Sequence, residues 1–107
     1  MDERQFESLA VRTLESIERA LEQSGIDADF ELKEGGVLEL EFDDGSKIIV
    51  NRHGAAREIW VAARSGGFHY RWDGSAWRDT RDGTELFAAL SRLVSAQSGT
   101  GVILSSA

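Results

Sequence analysis

The stretch GGVLELEFDDGSKIIVNRH, residues 35–53, predicts two short strands joined by a tight turn. Apolar and polar residues alternate on both sides of the turn, which is the period of a strand that buries one face. A three-residue loop at 43–45, with Gly45 in the left-handed conformation, sets Leu40 opposite Ile48. A two-residue loop would mix apolar and polar residues on one face, and a one-residue slip would turn the apolar set outward. The predicted buried face consists of Leu38, Leu40, Phe42, Ile48 and Val50.

The period of two continues on both sides of this hairpin, with glycine turns between the segments. We predict strands at residues 29–33, 37–42, 46–52, 58–63, 67–72 and 76–79. Residues 3–23 instead repeat apolar side chains at three- and four-residue steps, which indicates an amphipathic helix. Asp2 is placed to cap this helix with Gln5 as its reciprocal partner, and Ser24-Gly25 ends it.

A second helix is predicted to begin near Asp82, whose side chain caps it while Glu85 reciprocates. The apolar tail segment 102–104 is expected to cover an open end of the core. One sheet face then packs on the two helices, and the other face meets solvent. The predicted fold is a single α+β domain over residues 1–107, a two-layer α/β sandwich with a largely antiparallel sheet.

Trp60 lies between Ile59 and Val61, which have the parity of the buried face. The indole therefore points toward solvent beside Asn51, unless its two neighbours face outward and the indole belongs to the core. Because indoles are usually mostly buried, this second arrangement stays open. An exposed tryptophan on a flat sheet, with Asn51 and His53 nearby, has the composition of a binding hot spot.

Charge is distributed unevenly along the chain. Residues 1–44 hold fourteen acids and four bases, a formal charge of −10, whereas residues 45–107 hold five acids and eight bases, a charge of +3. Such asymmetry suits the collection of hard cations or the docking of a basic partner. It argues against nucleic acid as a partner, because phosphates would be repelled from the acidic side.

Composition excludes several other classes. The chain has no cysteine, which excludes disulfides and thiolate chemistry and fits a reducing cytosol. It contains no apolar run of about 18 residues that would predict a membrane span. Its acidic N-terminus is unlike a signal or transit peptide. The two histidines lack a third ligand at recognisable spacing, and no phosphate loop or hydrolase motif is present, so we do not expect an enzyme.

Four glutamates share one flank of the first helix, and three more acids follow directly at the first strand. These residues are Glu7, Glu15, Glu18, Glu22, Asp27, Asp29 and Glu31. Together they form a candidate carboxylate ridge, whose oxygen ligands suit magnesium, calcium, manganese or iron rather than zinc or copper. A solvated acidic helix face is the simpler interpretation of the same pattern. The spacing also lacks the calcium loop of an EF-hand.

The chain resembles the bacterial frataxins in five segments. These are the acidic first helix, GGVLELEFDDGSKIIVNRH at 35–53, IWVAA at 59–63, GGFHY at 66–70 and DGSAW at 73–77. The similarity extends over residues 6–97, and its middle block from Gly35 to Trp60 is specific. The resemblance implies the α/β sandwich already predicted, with weak iron binding at the first helix and first strand. It also implies binding to the cysteine desulfurase and the scaffold protein of iron–sulfur cluster assembly, and modulation of that assembly.

Residue by residue, the resemblance implies roles for two groups of side chains. In iron binding it implicates Glu18, Glu22, Asp27, Asp29 and Glu31, and less directly Glu3, Glu7 and Glu15. In contact with the assembly machinery it implicates Asn51, His53 and Trp60, with His53 standing where many relatives have glutamine. Arg19 occupies a position where relatives often have an acid, so we expect weak metal affinity. The ligand implied is Fe²⁺ or Fe³⁺, and other divalent cations also fit such oxygens.

The resemblance further implies a bacterial cytosol and a monomer in the absence of iron. Two other functions stay open at this point. One is an iron-storage or ferrous-oxidising oligomer, with weak ferroxidase activity. The other is an acidic interaction module that works without metal.

Overall fold

The computed structural model describes residues 1–106, which form two helices and six strands. Their bounds are α1 Glu3–Ser24, β1 Asp29–Lys33, β2 Val37–Glu41, β3 Lys47–His53, β4 Glu58–Ala63, β5 Gly66–Trp72, β6 Trp77–Asp79 and α2 Leu86–Ser98. The strands pair antiparallel in chain order, so the sheet runs from β1 at one edge to β6 at the other. This architecture confirms the predicted α+β sandwich.

The core lies between the helices and one face of the sheet. In β3 and β4 the residues of one parity, Ile48, Val50, Ile59 and Val61, are at most 1% exposed. The helices contribute a matching set of buried side chains: Phe6, Leu14, Ile17, Leu21, Leu86 and Leu90. Burying one such side chain stabilises the fold by about 1.5–3 kcal/mol. The same burial leaves every residue of the opposite parity facing away from the helices.

The β2–β3 hairpin has the predicted register. Leu40 pairs with Ile48 and Glu41 pairs with Lys47, which leaves a three-residue loop once Phe42 bonds to Ser46. Gly45 has φ +83°, the left-handed conformation that this loop requires.

The first helix also ends and begins as predicted. The Asp2 carboxylate accepts a hydrogen bond from the Gln5 N–H at 2.8 Å, and the Gln5 side chain accepts one from the Asp2 N–H at 3.0 Å. This reciprocal pair satisfies two donors at the helix end. Gly25, at φ +69°, closes the C-terminus.

The predicted start of the second helix is wrong by three residues. Glu85 is the cap, and its carboxylate accepts from the N–H groups of Phe87 at 2.7 Å and Ala88 at 3.1 Å. Asp82 instead accepts from the Thr84 N–H within a turn at 2.9 Å. The Asp79 N–H bonds to the Thr84 carbonyl and holds segment 80–84 in that turn, so Asp82 cannot begin a helix.

The tail lies against α2 in an alternating way. Leu104 is buried and Val102 packs against the core, as predicted, but Ile103 is 90% exposed. Ser91 Oγ accepts from the Leu104 N–H and Ser95 Oγ accepts from the Val102 N–H, both at 2.9 Å. These bonds hold the tail extended, so the residue between them must face outward.

Within residues 1–106, no helix is both long and apolar enough to cross a membrane.

Candidate functional site

The sheet face turned away from the helices, here called the open face, carries five of the eleven predicted site residues. Acids occupy it on β1 and β2, ring side chains on β3 to β5, and arginines on β5 and β6. Strand pairing places the following residues on this face: Asp29, Glu31, Glu39, Glu41, Asn51, His53, Glu58, Trp60, His69, Arg71 and Arg78.

Two pairs of acids face each other across β1 and β2. Asp29 is directly opposite Glu41, and Glu31 is directly opposite Glu39. Together with Phe30 these four residues line a shallow depression. Directly opposite residues in a sheet have Cβ atoms about 4.5–5.5 Å apart, so like charges there destabilise the pairing. A cation that bridges such a pair would relieve this repulsion. The sequence-based ridge omitted Glu39 and Glu41, although the hairpin parity already placed them outward.

Glu39 is partly neutralised by lysines. Lys33 Nζ lies 3.2 Å and Lys47 Nζ 3.3 Å from its carboxylate. Hydrogen bonds from Lys33 and then Lys47 lower the pKa of Glu39 below its usual value. Its carboxylate therefore stays ionised, but any cation competes with two ammonium groups for it.

Asp27 lies apart from the β1 pairs. It is exposed in the turn before β1, where it lines a small depression together with Asp43 and Asp44 of the hairpin loop. Asp44 is engaged by Arg64 at 2.9 Å. The predicted ridge is therefore divided, with Asp27 at the hairpin loop and Asp29 and Glu31 on the open face.

The helical acids form a third group. Glu3, Glu15 and Glu22 are exposed and Glu18 is half-buried. Glu7 already forms an ion pair with Arg52 of β3. Within residues 1–106, no three His, Asp or Glu side chains are grouped closely enough to hold a metal ion. The predicted ridge is thus an extended acidic surface rather than one compact group of carboxylates.

Three rings stack on the open face. The Trp60 indole lies 3.8 Å from the His53 ring and 4.5 Å from the His69 ring between centroids, with interplanar angles of 8° and 13°. His53 comes from β3 and His69 from β5, on either side of the β4 strand that carries Trp60. We call these three side chains the ring stack. The predicted outward orientation of Trp60 is confirmed, and its two faces are covered by imidazoles.

Glu58 adjoins the ring stack on β4 and is almost fully buried, with 7% of its side chain exposed. Its carboxylate accepts hydrogen bonds from Trp60 Nε1 at 2.9 Å and Arg71 Nη2 at 2.7 Å. His69 Nδ1 lies 3.4 Å from the same carboxylate. Burial alone would raise the pKa of Glu58, but the bonds from Trp60 and Arg71 outweigh it and lower that pKa.

Of the other predicted contact residues, Asn51 adjoins the ring stack and His53 belongs to it. Asn51 pairs with Trp60 across β3 and β4, and its amide donates to the Arg52 carbonyl at 3.2 Å. His53 Nδ1 accepts from the Ala56 N–H at 3.3 Å, which fixes the ring against the loop before β4. The structure therefore brings Asn51, His53 and Trp60 together in one patch.

Neither His69 nor Glu58 is among the contact residues that the family resemblance implicated. Both have the parity of Trp60, which was the available signal. The position of His69 beside Trp60 depends on the β4–β5 register, which is set by a two-residue turn at 64–65 between the paired Ala63 and Gly66. Glu58 instead lies two residues from Trp60 on the same strand. Arg64 and Ser65 are not residues that mark such a turn strongly.

The chain was compared with known proteins. The model of the frataxin-like domain matches residues 1–100. The iron-sulfur cluster assembly protein CyaY of Dechloromonas aromatica is 60% identical over 104 residues, which cover 97% of this chain and 99% of that protein. The CyaY of Cupriavidus taiwanensis is 51% identical over 105 residues, which cover 95% of each.

Two solved frataxin structures share this fold over most of the chain. Frataxin from Psychromonas ingrahamii superposes with a TM-score of 0.90 at 33% identity, over 98% of this chain and 99% of that one. A trimeric frataxin from the yeast Saccharomyces cerevisiae, complexed with ferrous iron, has a TM-score of 0.66 at 25% identity, over 94% and 88% of the two chains.

Proposed function

Because this chain belongs to the frataxin family, we propose that it is an iron-binding accessory protein of iron–sulfur cluster assembly. The observation that carries the proposal is its 60% identity, over nearly the whole of both chains, to a protein named for that assembly. The open face supports it physically, because one surface presents both carboxylates for a hard cation and a preformed aromatic patch for a protein partner.

Iron, as Fe²⁺ or Fe³⁺, is cargo in this proposal and binds at the acidic ridge. The ligands come from Glu18, Glu22, Asp27, Asp29 and Glu31. Carboxylate oxygens suit this ion, and the opposed acids of β1 and β2 add two more carboxylates beside Asp29 and Glu31. Binding is weak because exposed charges interact through water, at a high effective dielectric constant. Glu7 contributes little, since Arg52 already holds it.

The protein partners in this proposal are the cysteine desulfurase and the scaffold. The acidic ridge attracts a basic patch of the desulfurase, and iron competes for that contact or bridges it. The scaffold, or the same complex, meets Asn51, His53 and Trp60. A tryptophan held in a fixed orientation is the kind of residue that dominates binding energy at interfaces.

Regulation then occurs through steric and electrostatic effects, without catalysis by this chain, in a bacterial cytosol. The test is desulfurase turnover with and without the protein, at a series of ferrous iron concentrations. We expect turnover to change with protein concentration and the size of the change to depend on iron. Turnover that is unaffected at every iron concentration would contradict the proposal.

An iron-storage oligomer is the first alternative, favoured by the similarity to a trimeric yeast frataxin complexed with ferrous iron. Size-exclusion chromatography with excess ferrous iron and oxygen separates the two functions. A persistent monomer is the result expected of the accessory protein, whereas large iron-filled assemblies would favour storage.

A metal-independent interaction module is the second alternative. It is favoured by the lack of a preformed metal-binding group in residues 1–106. Partner binding that is the same with added iron and with chelator would support this function.

A further inference from the structure

We propose that Glu58 is a positioning residue, whose buried carboxylate fixes the ring stack in the orientation that a protein partner meets. The inference rests on the proposed partner role of Trp60, and it names the group that prepares that surface. Glu58 does not itself contact the partner in this proposal, because it is buried among its neighbours on the sheet.

The bond between Glu58 and Trp60 determines which way the indole lies. The two residues are two positions apart on β4 and so project from the same face of the sheet. With Nε1 held 2.9 Å from the carboxylate, the indole edge points along its own strand. Its two flat faces are then turned toward β3 and β5, where His53 and His69 stack.

Glu58 also reaches one of the flanking rings. Its Oε1 atom accepts the indole N–H and lies 3.4 Å from His69 Nδ1, while Oε2 accepts from Arg71. One carboxylate therefore links the central ring, an outer ring and the strand beside them. Immobilising a tryptophan before the partner arrives reduces the entropy lost on binding, which increases affinity without adding a contact.

A purely structural role is the competing explanation, since a buried carboxylate paired with an arginine is a common way to satisfy a charge. The two roles differ in what Glu58 variants do to the indole. A structural ion pair depends on Arg71, whereas positioning depends on the acceptor for Trp60 Nε1.

The experiment follows the three indole N–H resonances by NMR and measures binding to the desulfurase–scaffold complex. Trp72 and Trp77 serve as internal controls, since Trp77 Nε1 donates elsewhere, to Thr13 at 3.0 Å. We expect Glu58→Leu to shift the Trp60 resonance alone and to weaken partner binding about tenfold. Glu58→Gln keeps an acceptor oxygen, so it should restore both. Arg71→Gln, the matched control, should leave the Trp60 resonance in place.

Two results would overturn the proposal: a Glu58→Leu protein with the wild-type Trp60 resonance, or one with a shifted resonance and unchanged affinity while Trp60→Ala loses affinity. If Glu58→Leu does not fold, Glu58→Asp decides. It keeps the charge but withdraws the acceptor by one methylene, so the Trp60 resonance must shift. Trp60→Ala that binds the complex normally would instead contradict the proposed partner surface. The resonances of the free Glu58 variants still test the positioning separately.

Discussion

Side chains on the open face are covered by neighbours on adjacent strands. Trp60 is half-buried although it faces solvent, because His53 and His69 cover its two faces. Aromatic pairs of this kind contribute about 0.5–1.5 kcal/mol each beyond the area they bury. In the proposed complex, a partner would meet the edges of three rigid rings rather than a free indole. Binding through such an edge favours shape-matched contact over simple stacking.

Tyr70 gives a prediction at the same scale. It is the only tyrosine of the chain and lies in the core at 1% exposure. Burial, and next the charge of Asp79, raises the pKa of Tyr70 to about 12. Because the folded pKa exceeds the unfolded value of about 10, this contribution to stability is complete below pH 10 and is lost as pH rises toward 12.

We expect the free energy of unfolding to fall by roughly 2–3 kcal/mol across that range, since each pKa unit corresponds to about 1.4 kcal/mol. Denaturant unfolding at a series of alkaline pH values measures the fall, and phenolate absorbance reports Tyr70 alone. Tyr70→Phe is the control and should lose this part of the pH dependence. A phenol that ionises near pH 10 in the folded protein would disprove the prediction.

The alternation of buried and exposed positions along a strand determined what could be predicted from the sequence about individual residues. The orientation of Trp60 follows from Ile59 and Val61 on either side of it, and the structure confirms it. The burial of Glu58 could not be predicted in this way. It depends on two donors, Trp60 and Arg71, and on the nearby His69, and these come together only in the assembled sheet.

Among the elements, the tail and α2 fit together by their repeat distances. Ser91 and Ser95 are one helical turn apart, about 6 Å along the axis. Val102 and Leu104 are two extended residues apart, about 6.6 Å. Each serine hydroxyl therefore lies opposite one tail N–H, and each accepts it at 2.9 Å. The tail therefore pairs with α2 through serine side chains, whereas an edge strand pairs with its sheet through backbone groups.

Removing one of these hydroxyls tests the pairing. Ser91→Ala or Ser95→Ala leaves a tail N–H without its acceptor, which costs about 1 kcal/mol. For a domain of this size we expect Tm to fall by about 4–8 °C in thermal unfolding. Ser105→Ala, at an exposed position of the same tail, is the control and should leave Tm unchanged. A Tm equal to that of the wild type for all three variants would mean that these two hydroxyl bonds contribute no stability.

Some features of the helices and strands could be predicted from the sequence and others could not, for physical reasons. The β2–β3 register followed from its glycine loop and alternation, both of which are local. The start of α2 did not follow from the local sequence, because Asp82 and Glu85 each offer a carboxylate that could cap a helix. The backbone bond from Asp79 to Thr84, which closes the turn before the helix, selects Glu85. The tail contact with Ser91 and Ser95 likewise has no local signal.

Charge on the whole molecule is bipolar across the open face. Acids lie on β1 and β2 at one end, and Arg71 and Arg78 are paired across β5 and β6 at the other. The ring stack lies between them. Sequence analysis predicted the excess of acids in residues 1–44, but the fold separates those acids into the helix, the hairpin loop and the open face. Such a distribution steers a charged partner and orients it before contact.

Reversing charges at two matched positions tests whether place or net charge matters. Asp29→Lys and Glu34→Lys change the net charge equally, but only Asp29 belongs to the acidic ridge. We expect Asp29→Lys to weaken both ferrous iron binding and desulfurase pull-down. We expect the triple variant, which also carries Glu18→Lys and Glu22→Lys, to lose both. Glu34→Lys should leave both nearly intact. Pull-down by the triple variant at low salt would exclude docking through the ridge, and equal losses for both single variants would point to net charge alone.

The position of β1 at the sheet edge has a consequence for self-association. An edge strand carries unpaired N–H and C=O groups and can add a strand from a second molecule. Here Asp29 and Glu31 project from that strand beside the acids of β2, so two copies approaching edge to edge repel each other. The acids of β1 therefore protect this sheet edge against pairing with a second copy, in keeping with the monomer expected of the accessory protein.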